Sequence, residues 1–298
     1  MVRQMEIDLL AAELDRHLQD PTLCEPTNLL GRSQALAFAA FIRQVARARR
    51  HQAEVQALYG QSIRLEQRCE QTNQTLFATT REHIRRGEWR QGALRQELDR
   101  YTDYRPVKIG QPHVGYDGLD LLLRGLWQVE PIPPETAIRT AEMVHLEATP
   151  ARAILELVDR VHFGAGECFY DLGSGLGEVV CLVHLLTGAC ARGVEYEPAY
   201  CAYARRRAVD LALDRLCFIN ADAQRADLRA GTVFFLFTPF TGALLRAVLD
   251  RLATVARDHP IRIAAYGSCA RVIAQQPWLR PVDDAYSHEY KLALSESR

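Results

Sequence analysis

The chain has 298 residues, 48% of them hydrophobic and 24% charged, which excludes a disordered polymer, a collagen-like fibre and a disulfide scaffold and leaves room for one large or two modest domains. Lys and Arg number 36 against 37 Asp and Glu, a net charge of −1, so nucleic acid is not an expected partner. The eight cysteines form no Cys-x-x-Cys pair and several sit in apolar runs, which reads as buried thiols of a reducing compartment rather than as metal ligands. The start, Met-Val-Arg-Gln-Met-Glu-Ile-Asp, lacks the apolar core of a signal peptide, and no run reaches the ~20 apolar residues a membrane helix needs. The expectation is a cytoplasmic protein without a membrane partner.

Residues 1–105 carry four glycines and two prolines, with apolar residues recurring at three- and four-residue steps. This pattern predicts an N-terminal helical domain with helices near 5–18, 33–59, 62–86 and 89–101. Arg43, Arg47, Arg49 and Arg50 cluster here and read as a solvated helix face. Residues 106–134 are rich in Gly and Pro, which predicts a connector or lid loop over a site in the following domain. In 135–298, helices are expected at 135–146 and at 150–161, the second capped by Thr149 with Pro150 in its first position. Strands then follow at 168–171, 191–195, 217–220, 233–237, 261–266 and 290–294, with helices at 177–186, 198–212, 242–255 and 270–275. Alternation of this kind requires crossovers, hence a doubly wound, largely parallel α/β sheet covered on both faces.

Phe169-Tyr170-Asp171-Leu172-Gly173-Ser174-Gly175-Leu176-Gly177-Glu178 is the most informative segment. A strand ends at Asp171, alternate glycines make a tight turn, and a helix begins near Gly177. An acidic residue ahead of the first glycine repels a pyrophosphate and attracts an ammonium group, so the expected ligand carries a cation rather than a diphosphate. Glu195 stands at the end of the next strand, where a carboxylate accepts two hydrogen bonds from vicinal ribose hydroxyls. Asp222 follows the third strand, placed to accept from an adenine amino group beside the Ala223 amide. Three acids at three successive strand ends form one row along the sheet.

In order and spacing, these motifs resemble the class I S-adenosylmethionine-dependent methyltransferases from about residue 131 to the end. The resemblance implies a Rossmann-like sheet and S-adenosyl-L-methionine as cofactor. Asp171, Gly173, Ser174, Gly175 and Gly177 would line its methionine end, Glu195 would hold the ribose, and Asp222 with Ala223 would read the adenine. Thr149-Pro150, a helix and the segment from Gly166 to Gly177 are together similar to the protein-lysine methyltransferases of the disruptor-of-telomeric-silencing type. In that group the loop before Thr-Pro closes over the methionine moiety, which adds Glu147 and Thr149 to the cofactor set.

The fourth strand ends in Phe237-Thr238-Pro239-Phe240, without the Asn or Asp that orients an amine in many amino-group methyltransferases. Phe240 is a candidate wall of an acceptor channel, with Thr238 and Tyr266 as further catalytic candidates. Tyr116, Glu135, His145 and Glu147 are near the cleft as well. In-line methyl transfer from a sulfonium needs alignment and no metal. Three functions follow from this reading: N-methylation of a protein lysine; methylation of a small molecule with the helical half as a lid; or, in another class, non-catalytic S-adenosylmethionine binding by an interaction protein.

Overall fold

The computed structural model describes residues 2–49, 53–106, 110–129, 131–282 and 288–298, with the side chains of residues 2–6 left out. Two compact units, Met1–Arg81 and Glu82–Arg298, make up the chain. The division falls inside a helix rather than at the expected boundary near residue 105.

In the first unit α1 (Val2–Gln19), a short 3-10 turn (Pro21–Cys24), α2 (Leu29–Ala48) and the greater part of α3 (Ala53–Arg85) enclose Leu14, Leu23, Ala39, Ile42, Val55 and Leu65. The break expected between residues 59 and 62 is absent, because α3 runs through Gly60, where packing outweighs the helix cost of one glycine of about 1 kcal/mol. Two arginines close the ends of these helices. Arg68 donates to the carbonyls of His17, Leu18 and Asp20 at 2.7–3.0 Å, which satisfies the orphan acceptors at the end of α1. Arg32, fully buried, donates to the carbonyls of Leu23, Glu25 and Pro26 and to Asn73. Of the arginine cluster, Arg43 pairs with Glu66 and Arg47 is exposed; Arg50 lies outside the described residues.

The second unit contains α4 (Gln91–Leu98), α5 (Gly118–Trp127), α6 (Ala151–Val161), β1 (Cys168–Leu172), α7 (Glu178–Thr187), β2 (Cys190–Glu195), α8 (Pro198–Asp210), β3 (Leu216–Asn220), β4 (Val233–Phe237), α9 (Gly242–Asp258), β5 (Arg262–Tyr266), α10 (Cys269–Ala274), β6 (Leu279–Pro281) and β7 (Ala293–Ser297). The strands form one sheet in the order β3-β2-β1-β4-β5-β7-β6. Strands β1 to β5 are parallel and β7 is antiparallel to both neighbours. The expected doubly wound, largely parallel sheet is present. Its order reverses between β1 and β4, the place where such sheets open a crevice beyond the carboxyl ends of their strands.

Period-two alternation decides what faces that crevice. Tyr170 and Leu172 of β1 join Phe234 and Leu236 of β4 in a core under Leu244, Val248 and Leu249 of α9, so Asp171 points to the opposite face. Strand β1 is buried at all five positions, which suits a parallel strand covered on both sides.

Three expectations are corrected. Residues 106–134 hold a helix, α5, started by a capping box in which Asp117 and Asp120 each accept from the other's end of the first turn. Residues 135–146 form no helix, because their polar groups are taken by distant partners. Glu197 accepts from the Thr136 and Ala137 amides, the Val144 amide donates to the Pro239 carbonyl, and Met143 bridges Phe240. Thr149 does not cap α6; the Ala151 amide instead donates to Asp120 Oδ1 at 2.8 Å, from 31 residues away in sequence. Strand β7 also begins at Ala293, three residues later than expected. No described helix is long and apolar enough to cross a membrane.

Candidate active site

A cavity of about 450 Å3 opens at the carboxyl ends of β1, β2 and β4. Its floor is the turn after β1. The Gly173 and Ser174 amides donate to the Val194 carbonyl at 2.8 and 3.1 Å, and the Gly175 amide donates to Glu195 Oε2 at 2.7 Å. The turn is therefore pinned to the end of β2 before any ligand arrives. Gly173 has φ 88° and a Cβ there would collide with Pro239, so both backbone conformation and space demand glycine.

Fourteen of the residues named from the sequence come together here. Tyr116, Glu135, His145, Glu147, Thr149, Asp171, Gly173, Ser174, Gly175, Glu195, Asp222, Ala223, Thr238 and Phe240 all line the cavity. Gly177 does not; at φ 85° it caps α7, and its Cα faces the Phe218 ring and Ala204 rather than the cavity. Tyr266 is also outside the lining. It is 1% exposed, and its hydroxyl is committed to the His113 carbonyl at 2.6 Å. Thr238 reaches the lining, but its hydroxyl donates to the Tyr266 carbonyl and accepts from the Cys269 amide, both at 3.2 Å. These bonds hold a non-glycine residue at φ 38°, a backbone strain of about 1–3 kcal/mol, so Thr238 shapes the end of β4. Phe240 is both a wall of the cavity and, at 5% exposure, part of the core under α9.

The electrostatics of the site are set by buried carboxylates. Asp171 is 3% exposed, and no hydrogen bond among the described residues reaches its carboxylate. Burial first and the nearby Glu195 second push it well above the ordinary aspartate range. Glu195 is raised by burial too, although the Glu197 and Gly175 amides on its two oxygens work the other way. Each of those oxygens keeps a lone pair for a further donor. The Ser174 hydroxyl and Glu178 Oε1 are buried without a partner. Burial lifts Glu178 to about 7, against the attraction of Arg124 and with the repulsion of Asp120. Sequence reasoning missed Glu178 because a glutamate in the first turn of a helix is an ordinary dipole partner. Orphaned buried carboxylates beside a bare-backbone turn fit a ligand that brings an ammonium group, hydroxyl groups and a second positive centre.

Residues 141–219 match the family described as "Histone methylation protein DOT1", a stretch that carries the β1 turn, Asp171 and Glu195. The match supports an S-adenosylmethionine-dependent methyltransferase related to that family. Its DOT1-related core covers about a quarter of its length and stops short of Asp222 and β4. Among solved structures it is similar to an RNA methyltransferase from Salinibacter ruber in complex with S-adenosyl-L-homocysteine (21% identity, 51% of this chain and 92% of that one, TM-score 0.39). It is also similar to a SAM-dependent methyltransferase from Geobacter sulfurreducens in complex with the same compound (25%, 45% and 57%, TM-score 0.33). A third is precorrin-6y C5,15-methyltransferase from Geobacter metallireducens GS-15 (13%, 52% and 93%, TM-score 0.41). The chain thus spans little more than half of the Geobacter sulfurreducens protein. The acceptors named for these proteins differ from one another, and none is carried over. Among curated proteins nothing matches.

In the methyltransferase, residues 135–149 form a strap that contributes Glu135, Arg139, Met143, Val144, His145, Leu146 and Glu147 to the cavity. Two carboxylates fasten it. Glu142 accepts from the Ala243 and Leu244 amides at the start of α9, at 2.7 and 2.9 Å. Glu197 takes four donors, the Thr136 amide and hydroxyl and the Ala137 and Ala199 amides, at 2.6–2.9 Å. Desolvation raises Glu197, but these bonds outweigh it and hold the carboxyl at about 2. Its anchoring is therefore present at every pH above the ordinary glutamate range and is lost only as pH falls toward about 2. Replacing it by glutamine turns an amide NH2 toward groups that are themselves donors. Glu197→Gln should weaken S-adenosylhomocysteine binding about threefold to tenfold and accelerate amide exchange across 136–148. Unchanged exchange in that segment would remove Glu197 as an anchor.

Proposed function

We propose that this methyltransferase transfers a methyl group to a lysine side chain of a protein. The observation that carries the reading is the charge of the cavity. Among the described residues its lining holds eight carboxylates (Asp120, Glu135, Glu147, Asp171, Glu178, Glu195, Glu197 and Asp222) against two arginines, Arg124 and Arg139. Such a cavity attracts cations and repels the polyphosphate backbone of nucleic acid. One cation is the cofactor; a lysine ammonium is an acceptor of the same sign, and the DOT1-related core supports a protein substrate.

S-adenosylmethionine, when bound, supplies a methyl group on a sulfonium that departs as a neutral thioether. The chain would hold it with Asp171 and Ser174 at the methionine end, Glu195 at the ribose and Asp222 with Ala223 at the adenine. The strap residues Met143 and Leu146, with Phe240, exclude water from the reacting end. A lysine must lose a proton before it attacks, since its ordinary pKa is about 10.4. Desolvation beside these apolar side chains favours the neutral amine. Glu178, which lines the same cavity and is lifted to about 7 by burial, is the candidate acceptor of that proton.

Transfer of radiolabelled methyl from S-adenosylmethionine into a cell lysate tests the reading. Label in protein that hydrolyses to methyl-lysine is the expected result. Label confined to small metabolites or RNA, or no transfer despite cofactor binding, would overturn it.

A further inference from the structure

The amino ends of β1 and β2, remote in sequence from the row of acids at their carboxyl ends, carry a second chemical feature. Cys168 opens β1, Cys190 opens β2, and the two are register partners in the parallel ladder. Neighbouring strands lie about 4.8 Å apart, inside the Cα separation of roughly 4.4–6.8 Å that a disulfide spans. The side chains face each other, with the Cys168 thiol donating to the Cys190 sulfur at 3.4 Å. No other pair of cysteines shares a hydrogen bond among the described residues, and all eight are thiols.

The two sulfurs are not equivalent. Cys168 is 6% exposed, whereas Cys190 is half-buried and within reach of a small solute. Arg192, two residues along β2 and so on the same face, lies beside both sulfurs and donates to the Tyr170 hydroxyl at 2.9 Å. Burial, and after it the Cys190 sulfur, pushes the Cys168 thiol up. The more exposed sulfur thus meets a solute first, and the buried one stands behind it, with Arg192 beside both.

We propose that Cys168 and Cys190 form a paired oxidation site, at which a hydroperoxide converts the two thiols into a disulfide joining β1 to β2. The Cys190 thiolate attacks one peroxide oxygen, the O–O bond breaks, and a sulfenic acid forms as hydroxide leaves and is protonated to water. The Cys168 sulfur then attacks the Cys190 sulfur, its proton leaving with the displaced hydroxyl as a second water. Two thiols are oxidised by two electrons and one peroxide is reduced to two waters. The new bond closes the 22-residue interval that holds the glycine turn and α7.

The test is peptide mapping of the full chain after hydrogen peroxide treatment, with free thiols alkylated before digestion. The expected result is a Cys168–Cys190 cross-linked peptide, two hydrogens lighter than its parts and released by dithiothreitol. Cys168→Ser should leave Cys190 as a sulfenic acid that dimedone traps. Complete alkylation of both cysteines after peroxide, or a cross-link from Cys190 to Cys181 or Cys217 instead, would overturn the proposal.

Discussion

Exchange of Asp171 for asparagine is expected to weaken S-adenosylhomocysteine binding on the order of 100-fold by calorimetric titration, while the ligand-free protein unfolds no earlier than wild type. The loss follows from removing one partner of a buried charge pair, which costs about 2–5 kcal/mol. The preserved stability follows from the surroundings of Asp171, buried beside Glu195 with no hydrogen-bond donor among the described residues. Its carboxyl is held above the ordinary range in the folded chain, so ionising it as pH rises costs folding free energy. Asp171→Asn removes that cost, and its advantage over wild type should shrink as pH falls toward about 4, where both forms are neutral. Unchanged affinity would show that Asp171 does not face the ligand. A variant that unfolds much earlier would show that the carboxylate is instead part of the scaffold.

Glu178 gives the second large effect. Burial places it at about 7 in the folded protein against a usual glutamate value of 4.5. A carboxyl with a raised folded value contributes stability that is complete below the unfolded value and lost as pH rises through the folded one. Over the interval from about pH 4.5 to 7 the contribution amounts to about 3 kcal/mol. Denaturant titrations of the ligand-free protein between pH 5 and pH 8 should therefore show stability falling with pH, and Glu178→Gln should flatten that fall by about this amount. Asp171 and Glu195 slope in the same direction, so a residual decline is expected in the variant. Parallel curves for variant and wild type would mean that Glu178 reaches water.

The two effects share a cause that is only half legible in the sequence. That Asp171, Glu195 and Asp222 stand in one row follows from a strand–turn–helix repeat in which each acid ends a strand, and β1, β2 and β3 place them so. The cavity's depth does not follow. Glu178 reads as a helix-start acid until α5 supplies Arg124 and Asp120 around it. The signal for α5, the box Asp117-Gly-Leu-Asp120, was present, but glycines and prolines on either side made the whole segment look like a connector.

The strap shows the opposite error. Residues 135–146 have a helical look, and after two prolines a helix start is reasonable. Their backbone groups are claimed by Glu197, Pro239 and Thr241, residues 60 to 100 positions away, and such partners are invisible to local pattern. Thr238 and Tyr266 end strands beside the cleft, which is all that the sequence encodes of them. Which way each hydroxyl turns depends on His113, Cys269 and their own neighbouring carbonyl, which no spacing rule encodes.

A crystal structure of the protein with S-adenosylhomocysteine is the decisive measurement. The ligand is expected in the cavity under the strap, with its amino group on Asp171, its ribose hydroxyls on Glu195 and its adenine beside Asp222 and Ala223. Ligand density elsewhere, or a ligand in the cavity that leaves Asp171 and Glu195 untouched, would contradict that placement.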